Sequence, residues 1–464
     1  MPRVLRKTAP PFAYFLATLE AILLVLSFYF SLYFSWVEFN FTWPEIDFYL
    51  LKAGLFSAVV ILSMFSLGLY QREALFRGSV MIPRLAVAFV LSLTVLALLS
   101  YSLPVLVIWR SVLAWAMPIA FAWIVAARFL VRDLFNWNLM KRKIAVIGSG
   151  VQALRIEEMH RGPYCSFRCA GYIRINSEPY MVPGERLLAN TNDLTGLLRE
   201  QGVEELVIAT MSHDELPTRA LVDCRLNGIR IVDYQAFHSE ETGRIDLDFL
   251  TPEWFFVDEG FQATALHRWI KRGFDLSLST VLLLALSPVL VLLSALIACD
   301  GGRVLYRQRR TGLAGDIFTL LKFRSMQEDA EPDGKPIWSN GDDDRVTPFG
   351  RLLRRTRLDE LPQLWNILKG EMSFVGPRPE RPYFVERLSE EHEYYLDRHA
   401  VKPGLTGWAQ INFRYGSSSA DARRKLEYDL YYIKYGNLLM DLFIILQTLR
   451  VVVWPEPIRQ VQNS

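Results

Sequence analysis

Apolar residues dominate the first 140 positions of the chain in four long runs separated by short polar stretches. The runs lie near residues 12–36, 48–69, 81–103 and 105–130. Each is long enough for the roughly 20 residues that cross the hydrocarbon core of a bilayer as a helix. A buried soluble bundle would also be apolar, but four runs of this length with so few charges favour four transmembrane helices.

The charges that flank these runs predict their orientation. Basic residues precede the first run (Arg3, Arg6, Lys7) and follow the fourth (Arg128, Arg132, Lys141, Arg142, Lys143). Because Lys and Arg are enriched in cytoplasmic loops, we expect both ends of the bundle to face the cytoplasm. The first run lacks a small-residue cleavage site, which favours a retained span over a signal peptide.

A pattern of short β-branched runs alternating with helical segments follows the bundle. The segment "KIAVIGSGVQA" places Gly148, Gly150 and Ala153 at G-x-G-x-x-A spacing after a strand. Two further strands, "ELVIAT" and "GIRIVDY", complete a predicted small α/β domain over residues 141–250. About 20 residues past the glycines, Arg174 and Asn176 stand where an NAD site would place an acidic residue. A Rossmann-like fold kept for structure is therefore favoured over nucleotide binding.

Hydrophobicity returns at residues 275–298, a segment long enough to cross a bilayer. Basic residues stand on both of its sides, Lys271 and Arg272 before it and Arg303 after it, so a crossing would break the charge rule. Ser287 and Pro288 lie in its middle, where proline removes a backbone donor and kinks a helix. We predict a re-entrant hairpin. A straight fifth span with a proline kink is the alternative.

Composition agrees with a membrane protein, since 51% of the 464 residues are hydrophobic. The net charge is only +2, and basic clusters stand beside apolar segments, where anionic lipid headgroups attract them. We therefore expect a lipid bilayer as a partner and no nucleic acid. One such basic loop spans residues 306–326 and contains Lys322 and Arg324. It is either a solvated charged face or a site for a phosphorylated lipid or a diphosphate.

Two adjacent carboxylates, Asp359 and Glu360, precede an apolar pattern of helical spacing. The pattern predicts an amphipathic helix that buries four side chains on one face, namely Leu361, Leu364, Trp365 and Leu368. In the plain interpretation, the two acids are favourable charges at a helix N-terminus. In the chemical one, a carboxylate attacks phosphorus while its neighbour holds a magnesium ion, and the upstream Arg354, Arg355 and Arg357 hold an anionic substrate.

Two loops downstream have candidate binding residues. Arg378 lies between two prolines that stiffen the loop, so its guanidinium is pre-aimed unless the segment is only a rigid surface turn. In residues 401–414, Gly404 and Gly407 predict a close backbone approach, and Gln410 and Arg414 are candidate base, sugar or phosphate contacts. A turn with a packing tryptophan is the alternative there.

These motifs occur in one order: Lys271-Arg272 with Asp275, the Ser287-Pro288 break, "KFRSM", "LDELPQLWNILKGEMSFVGPRPE" and "KPGLTGWAQIN". Together they resemble the bacterial sugar transferase family, the polyprenyl-phosphate phosphoglycosyltransferases, over residues 265–455. The whole chain resembles the long forms that initiate exopolysaccharide or O-antigen synthesis. The expected fold is an α-helical transmembrane bundle (1–140), a cytoplasmic Rossmann-like α/β domain (141–250) and a mainly α catalytic domain (265–464) with a re-entrant hairpin.

The resemblance implies a ping-pong phosphoryl transfer at the cytoplasmic face of the bacterial inner membrane. Asp359 would attack a UDP-sugar and release UMP, with Glu360 holding Mg²⁺, and the phosphosugar would pass to undecaprenyl phosphate. Arg354 and Arg378 would bind phosphates, and Lys322 and Arg414 are weaker assignments by the same resemblance. Arg324 and Gln410 are candidate substrate contacts from the residues themselves. The identity of the sugar and the oligomeric state are not fixed by the sequence, and a homodimer is one candidate.

Two other functions are compatible with parts of the sequence. A membrane scaffold or regulator of polysaccharide synthesis could carry a degenerate transferase domain, although the intact dyad and arginines speak against it. A membrane-anchored, NAD-dependent sugar epimerase or dehydratase would need a competent glycine turn at Gly148.

Overall fold

The computed structural model describes most of the chain, namely residues 11–39, 46–71, 74–75, 78–134, 141–162, 165–174, 179–188, 193–211, 215–257, 264–299, 302–327, 345–413 and 418–453. By compactness, the chain divides into two units, Met1–Phe249 and Leu250–Ser464. The finer division at 1–140, 141–250 and 265–464 stays a prediction.

Four N-terminal helices confirm the four predicted apolar segments: α1 (Pro11–Phe39), α2 (Ile46–Ser66), α3 (Gly78–Ser102) and α4 (Arg110–Leu134). Each contains a stretch long and apolar enough to cross a membrane. Helix α1 packs on α2 and α4, and α3 packs on the same two helices. Their shared interior is largely apolar, and in a bilayer such an interior is held together by side-chain packing and interhelical hydrogen bonds.

A buried ion pair joins two of these helices. Glu20 of α1 accepts from Arg128 Nε of α4 at 2.6 Å, and neither side chain is more than 2% exposed. The Tyr70 hydroxyl donates to the same carboxylate at 2.6 Å, and Arg128 Nη1 donates to the Leu69 carbonyl oxygen at 3.0 Å. Since an unpaired charge inside a membrane domain is very unfavourable, this pairing fixes the relative register of α1 and α4.

A four-stranded parallel sheet confirms the predicted Rossmann-like α/β fold. Its order is β2-β1-β3-β4. The strands are β1 (Arg142–Ile147), β2 (Phe167–Ile173), β3 (Glu205–Ile208) and β4 (Arg230–Asp233), and the helices are α5 (Val151–Arg161), α6 (Leu194–Glu200), α7 (Thr218–Leu226) and α8 (Tyr234–Thr242). Separate apolar clusters cover the two faces of the sheet, which is why its central strand β1 is apolar throughout its last four residues.

The second unit is mainly helical with two small sheets. Its helices are α9 (Glu253–Val257), α10 (Ala265–Ala285), α11 (Ser287–Cys299), α12 (Pro348–Thr356), α13 (Gln363–Lys369), α14 (Pro382–Glu391), α15 (Trp408–Asn412), α16 (Ser419–Tyr435) and α17 (Leu438–Val453). Strands β5 (Leu305–Thr311) and β6 (Ile317–Phe323) form an antiparallel hairpin, and β7 (Ser373–Val375) pairs in parallel with β8 (Gly404–Thr406).

The apolar segment at 275–298 is broken where the sequence predicts. Helices α10 and α11 meet at Leu286 with a bend of 62°. Pro288 has no backbone N–H to continue the ladder, and the Ser287 hydroxyl satisfies the carbonyl of Leu284 at 2.8 Å. The bend therefore lies at the Ser287-Pro288 pair, and re-entry into the bilayer stays a prediction.

Three residues of α10 fasten this helix pair to the rest of the unit. Lys271 Nζ donates to Asp441 Oδ2 of α17 at 2.5 Å, and Asp275 Oδ1 accepts from the backbone N–H of Phe374 in β7 at 3.1 Å. Arg272 donates to the carbonyls of Ile367 and Leu368, both at 2.7 Å. Because these carbonyls end α13, the basic residue also satisfies the negative end of that helix dipole.

The predicted amphipathic helix after Asp359 is wrong in its buried face. The chain forms a 3₁₀ turn at Leu358–Glu360, and α13 begins only at Gln363. Trp365 is 48% exposed, whereas Asn366 is completely buried. Asn366 is buried because its side chain hydrogen-bonds the backbone of β6, as a neighbouring strand would. Its Oδ1 accepts from Leu321 N at 3.1 Å, and its Nδ2 donates to the Thr319 carbonyl at 2.8 Å.

The backbones of the segments that contain Pro-Arg-Pro and "KPGLTGW" run side by side and approach each other most closely at their glycines. Gly376 N donates to the Thr406 carbonyl at 3.0 Å, and Gly404 N donates to the Pro377 carbonyl at 2.9 Å. A Cβ at Gly376 would overlap the carbonyl oxygen of Lys402 and lie 2.9 Å from Gly404 N. The close backbone approach predicted for Gly404 and Gly407 is confirmed, since a Cβ at either glycine would overlap the backbone at Gly376.

Replacing Gly376 with alanine is expected to lower the free energy of unfolding by about 1–3 kcal/mol, because the added methyl group meets backbone that cannot rotate away. The control is Gly273→Ala. It adds a methyl group inside α10 with nothing within 4 Å and is expected to stabilise by up to about 1 kcal/mol. Thermal unfolding in detergent measures both variants. Equal melting temperatures for Gly376→Ala and wild type would contradict the close backbone contact at Gly376.

Candidate active site

Arg357 has a left-handed backbone conformation, and the turn that follows it directs Asp359 and Glu360 into the protein interior. Helix α12 begins at a Thr347 cap and ends at Arg357, whose φ of 60° belongs to the left-handed region. That conformation costs a non-glycine residue about 1–2 kcal/mol. It starts the 3₁₀ turn Leu358–Glu360, in which Asp359 and Glu360 are only 6% and 7% exposed. Strain of this kind is concentrated at functional sites.

Three cations converge on one oxygen of Glu360. Arg378 Nη2, Lys322 Nζ and Arg357 Nη1 lie 3.0, 3.2 and 3.4 Å from Glu360 Oε1. Burial alone would raise the pKa of this carboxyl, but the charges of Arg378, Lys322 and Arg357 together bring it well below its ordinary value. Glu360 is therefore ionised at every pH at which the protein is expected to work.

Asp359, next to it, is in a different electrostatic environment. Burial raises the pKa of the Asp359 carboxyl, and the neighbouring Glu360 charge adds to this, while Lys322 and the two arginines only partly oppose it. Asp359 Oδ1 is buried and has no hydrogen-bond partner among the described residues. A buried carboxylate oxygen that is not solvated is an unfavourable arrangement unless it has a reaction partner or a ligand.

The hairpin β5–β6 supplies Lys322, and Asn366 holds that hairpin in place. Asn366 bonds the backbone on both sides of Leu320, two positions before the lysine. The lysine therefore reaches Glu360 from a strand whose register is fixed by a buried amide. Arg378 reaches the same oxygen from the Pro-Arg-Pro loop, so three separate segments meet at the dyad.

The structure brings together four of the residues predicted for the site: Asp359, Glu360, Lys322 and Arg378. Arg357, one of the three upstream arginines predicted to hold an anionic substrate, joins them. The signal that could have singled it out among the three is its spacing, since position i−3 faces Glu360 within a single helical turn.

The other predicted binding residues are placed elsewhere or not described. Arg324 Nη2 donates to the Ile297 carbonyl at 3.2 Å, near the end of α11. Arg354 is half-buried on α12, one turn before the dyad. Gln410 donates to the Leu405 carbonyl at 3.3 Å, and its Oε1 is buried without a partner in the part of the chain that the structure covers. Arg414 lies outside the described residues.

The donor set at the dyad fits a magnesium ion held jointly by protein and substrate. Among the described residues there is no group of three or more His, Cys, Asp or Glu side chains that could hold a metal ion alone. Mg²⁺, however, is commonly bound by one or two carboxylates that are completed by substrate phosphates. Glu360 and the unpartnered Oδ1 of Asp359 are such carboxylate donors.

Replacing Glu360 with glutamine is expected to lower the free energy of unfolding at pH 7 by about 1–3 kcal/mol, because three partly buried cations lose their shared counter-charge. The low pKa of Glu360 makes this stabilisation present above the unfolded-state pKa and lost only as the pH falls through the folded-state value. The control Glu391→Gln, at an exposed pair with Arg387, should leave the melting temperature unchanged. An unchanged melting temperature for Glu360→Gln would contradict the pairing of three cations with the Glu360 carboxylate.

Comparisons with known proteins agree with this site. A family model described as bacterial sugar transferase matches residues 266–455, and one described as CoA-binding domain matches residues 66–225. An undecaprenyl-phosphate glucose phosphotransferase from Komagataeibacter xylinus is 33% identical over 405 residues, which are 80% of this chain and 70% of that protein. A UDP-glucose:undecaprenyl-phosphate glucose-1-phosphate transferase from Klebsiella pneumoniae is 32% identical over 354 residues, 73% of this chain and 74% of that protein.

A third relative covers a smaller part of both chains. It is a UDP-N-acetylgalactosamine-undecaprenyl-phosphate N-acetylgalactosaminephosphotransferase from Aeromonas hydrophila, 35% identical over 253 residues. These are 54% of this chain and 59% of that protein, so the match spans about three fifths of the Aeromonas protein. Two of these names give glucose as the sugar and the third gives N-acetylgalactosamine, but all three name the transfer of a phosphosugar to undecaprenyl phosphate. Together with the matching family model, they show that this chain belongs to the bacterial sugar transferase family, as the motifs predict.

Proposed function

We propose that this chain transfers a sugar 1-phosphate from a UDP-sugar to undecaprenyl phosphate, releasing UMP and initiating exopolysaccharide or O-antigen synthesis. The relatives' names support the substrate classes. The observation that carries the proposal is the buried, unpartnered Asp359 oxygen in a site lined by Lys322, Arg357 and Arg378. The same names do not favour a non-catalytic scaffold.

In the first step, a carboxylate oxygen of Asp359 attacks the β-phosphorus of the UDP-sugar. The new bond joins this oxygen to phosphorus, and the bond from phosphorus to the bridging oxygen breaks, so UMP leaves with that oxygen. Cations suit this step because negative charge develops on the phosphoryl oxygens and the leaving group. Arg378 and Lys322 are placed to bind these oxygens, with Arg354 one turn away on α12 as a further phosphate ligand.

In the second step, a phosphate oxygen of undecaprenyl phosphate attacks the phosphorus held on Asp359. The bond between phosphorus and the aspartyl oxygen breaks, which regenerates the carboxylate and forms undecaprenyl-diphospho-sugar. Covalent catalysis divides one difficult transfer between two anionic substrates into two easier ones. The raised pKa of Asp359 suits the first step, since a more basic carboxylate is the better nucleophile.

A bound Mg²⁺ would neutralise phosphate charge, and Glu360 is its protein ligand in this proposal. Glu360 can serve in this way because its carboxyl stays ionised under the influence of its three cations. Those cations also hold the carboxylate in one orientation. Any metal therefore meets a fixed oxygen and not a freely rotating side chain.

The bent pair α10–α11 fits an enzyme with one soluble and one lipid substrate. If the pair enters and leaves the bilayer on the same side, the dyad stays at the cytoplasmic surface of the inner membrane, where UDP-sugars are found. Lys271, Arg272 and Asp275 attach the pair directly to β7, α13 and α17. The re-entrant topology and the homodimer considered from the sequence belong to this proposal.

Asp359→Asn is expected to lower both UMP release and transfer of sugar label to lipid by at least about 10³-fold, because an amide oxygen is a poor nucleophile. Membranes are incubated with undecaprenyl phosphate, Mg²⁺ and a panel of UDP-sugars radiolabelled in the sugar. Asp223→Asn, at an exposed pair in the α/β domain, is the matched control and should retain activity. Equal transfer by Asp359→Asn and wild type would refute the nucleophile.

Lys322→Gln is expected to move the acidic limb of the pH profile of kcat/KM for the UDP-sugar to higher pH. Lys322 lowers the pKa of Asp359, so its removal raises that pKa further and leaves less carboxylate at a given acidic pH. Lys369→Gln removes an exposed lysine and should leave the limb in place. A limb that stays or moves to lower pH in Lys322→Gln would contradict the assignment of Asp359 as the group that must be ionised.

A further inference from the structure

Hydrogen-bond donors from outside the Pro-Arg-Pro loop hold the loop in place. Each donor bonds one of the loop's consecutive backbone carbonyls. The carbonyls of Pro377, Arg378, Pro379 and Glu380 accept from Gly404 N at 2.9 Å, Arg398 Nη2 at 3.0 Å, Arg310 Nη1 at 3.0 Å and Thr311 N at 2.9 Å. Four consecutive carbonyls thus have four different partners. No regular helix or strand is involved in this stretch.

This mode of support follows from the sequence of the loop. Two prolines remove two backbone donors, so the loop cannot form the ladder that would hold a strand or a helix. Its carbonyls still need partners, because unpaired buried acceptors are unfavourable. External donors fill that need and also determine where the backbone of Arg378 lies.

Arg398 is the donor best placed to act on Arg378. Its side chain is 6% exposed and pairs with Asp429 of α16, which is 3% exposed, at 2.8 Å. The same guanidinium donates to the Tyr395 hydroxyl at 2.8 Å through Nη1 and to the Arg378 carbonyl through Nη2. A planar fork with five donors can make these bonds at once, whereas an ammonium group cannot reproduce their geometry.

We propose that Arg398, fixed by Asp429, is a positioning residue that aims the Arg378 guanidinium at the phosphates of the nucleotide substrate. The connection runs from Asp429 through Arg398 to the Arg378 carbonyl, and from the Arg378 side chain to Glu360 Oε1 at 3.0 Å. A buried ion pair is weak support for a purely stabilising role, since its desolvation offsets much of the attraction. The inference rests on the proposed function only in that Arg378 binds a phosphate of a UDP-sugar.

A double-mutant cycle separates positioning from stability. Equilibrium affinity for UDP is measured with the purified full chain and Mg²⁺ for wild type, Arg398→Lys, Arg378→Ala and the double variant. Arg398→Lys keeps the charge opposite Asp429, so the buried acid stays paired. It is expected to weaken UDP binding by about tenfold in the wild-type background and by less than about twofold in the Arg378→Ala background, because the two residues act in series.

The matched control is Tyr395→Phe, which removes a hydrogen bond from the other arm of the same guanidinium and leaves the Arg378 carbonyl bonded. It should lower the melting temperature without changing UDP affinity. Equal losses from Arg398→Lys in both backgrounds, or a loss from Tyr395→Phe as large as that from Arg398→Lys, would overturn the inference in favour of a structural role. Absence of UDP binding by wild type would overturn it as well.

The proposed function is judged by a different readout, transfer of label to lipid. A wild type that binds UDP with the expected coupling but transfers no sugar phosphate would refute the proposed function and support the positioning role of Arg398. A wild type that transfers label, but in which Arg398→Lys and Arg378→Ala affect UDP affinity independently, would support the proposed function and refute the positioning role of Arg398. The two conclusions can therefore fail independently.

Discussion

The difference in environment between two adjacent carboxylates is the constraint on which the chemistry of this protein depends. Asp359 and Glu360 belong to one 3₁₀ turn, yet the pKa of the first is raised and that of the second is lowered. The cause is geometric, since Lys322, Arg357 and Arg378 all reach Glu360 Oε1. Pairs of acids with separated pKa values are a common basis for divided catalytic roles. Here the division is between a proposed nucleophile and a proposed metal ligand.

The surrounding fold keeps this asymmetry in place through backbone contacts. Asn366 substitutes for a strand partner and fixes the strand that supplies Lys322. The glycines in and beside the parallel pair β7–β8 bring the Pro-Arg-Pro loop against "KPGLTGW" more closely than any side chain would permit. Arg398 then holds the Arg378 carbonyl. Arg272, from the bent apolar helix pair, satisfies the end of α13, so the bent pair and the candidate active site share one framework.

Much of this could be predicted from the sequence because it depends on periodicity and local chemistry. Long apolar runs, a β-rich alternation and a Ser-Pro break identify the four helices, the parallel sheet and the bend at Leu286. The spacing of Leu361, Leu364, Trp365 and Leu368 misled, because Arg357 turns the chain and Asn366 takes a buried position for its hydrogen bonds. Arg398 could not be assigned because its role arises from contacts to a buried carboxylate and to a loop carbonyl. Such contacts leave no periodic signal.

The central claim is that Asp359 carries the phosphosugar between the two substrates. It is tested most directly by incubating the full chain with UDP-sugar and Mg²⁺ without lipid acceptor, quenching in acid and mapping the modified peptide by mass spectrometry. The account predicts a mass increase of one phosphosugar on the peptide that contains Asp359, discharged when undecaprenyl phosphate is added before the quench. An adduct on another residue, or the same adduct in Asp359→Asn, would contradict it.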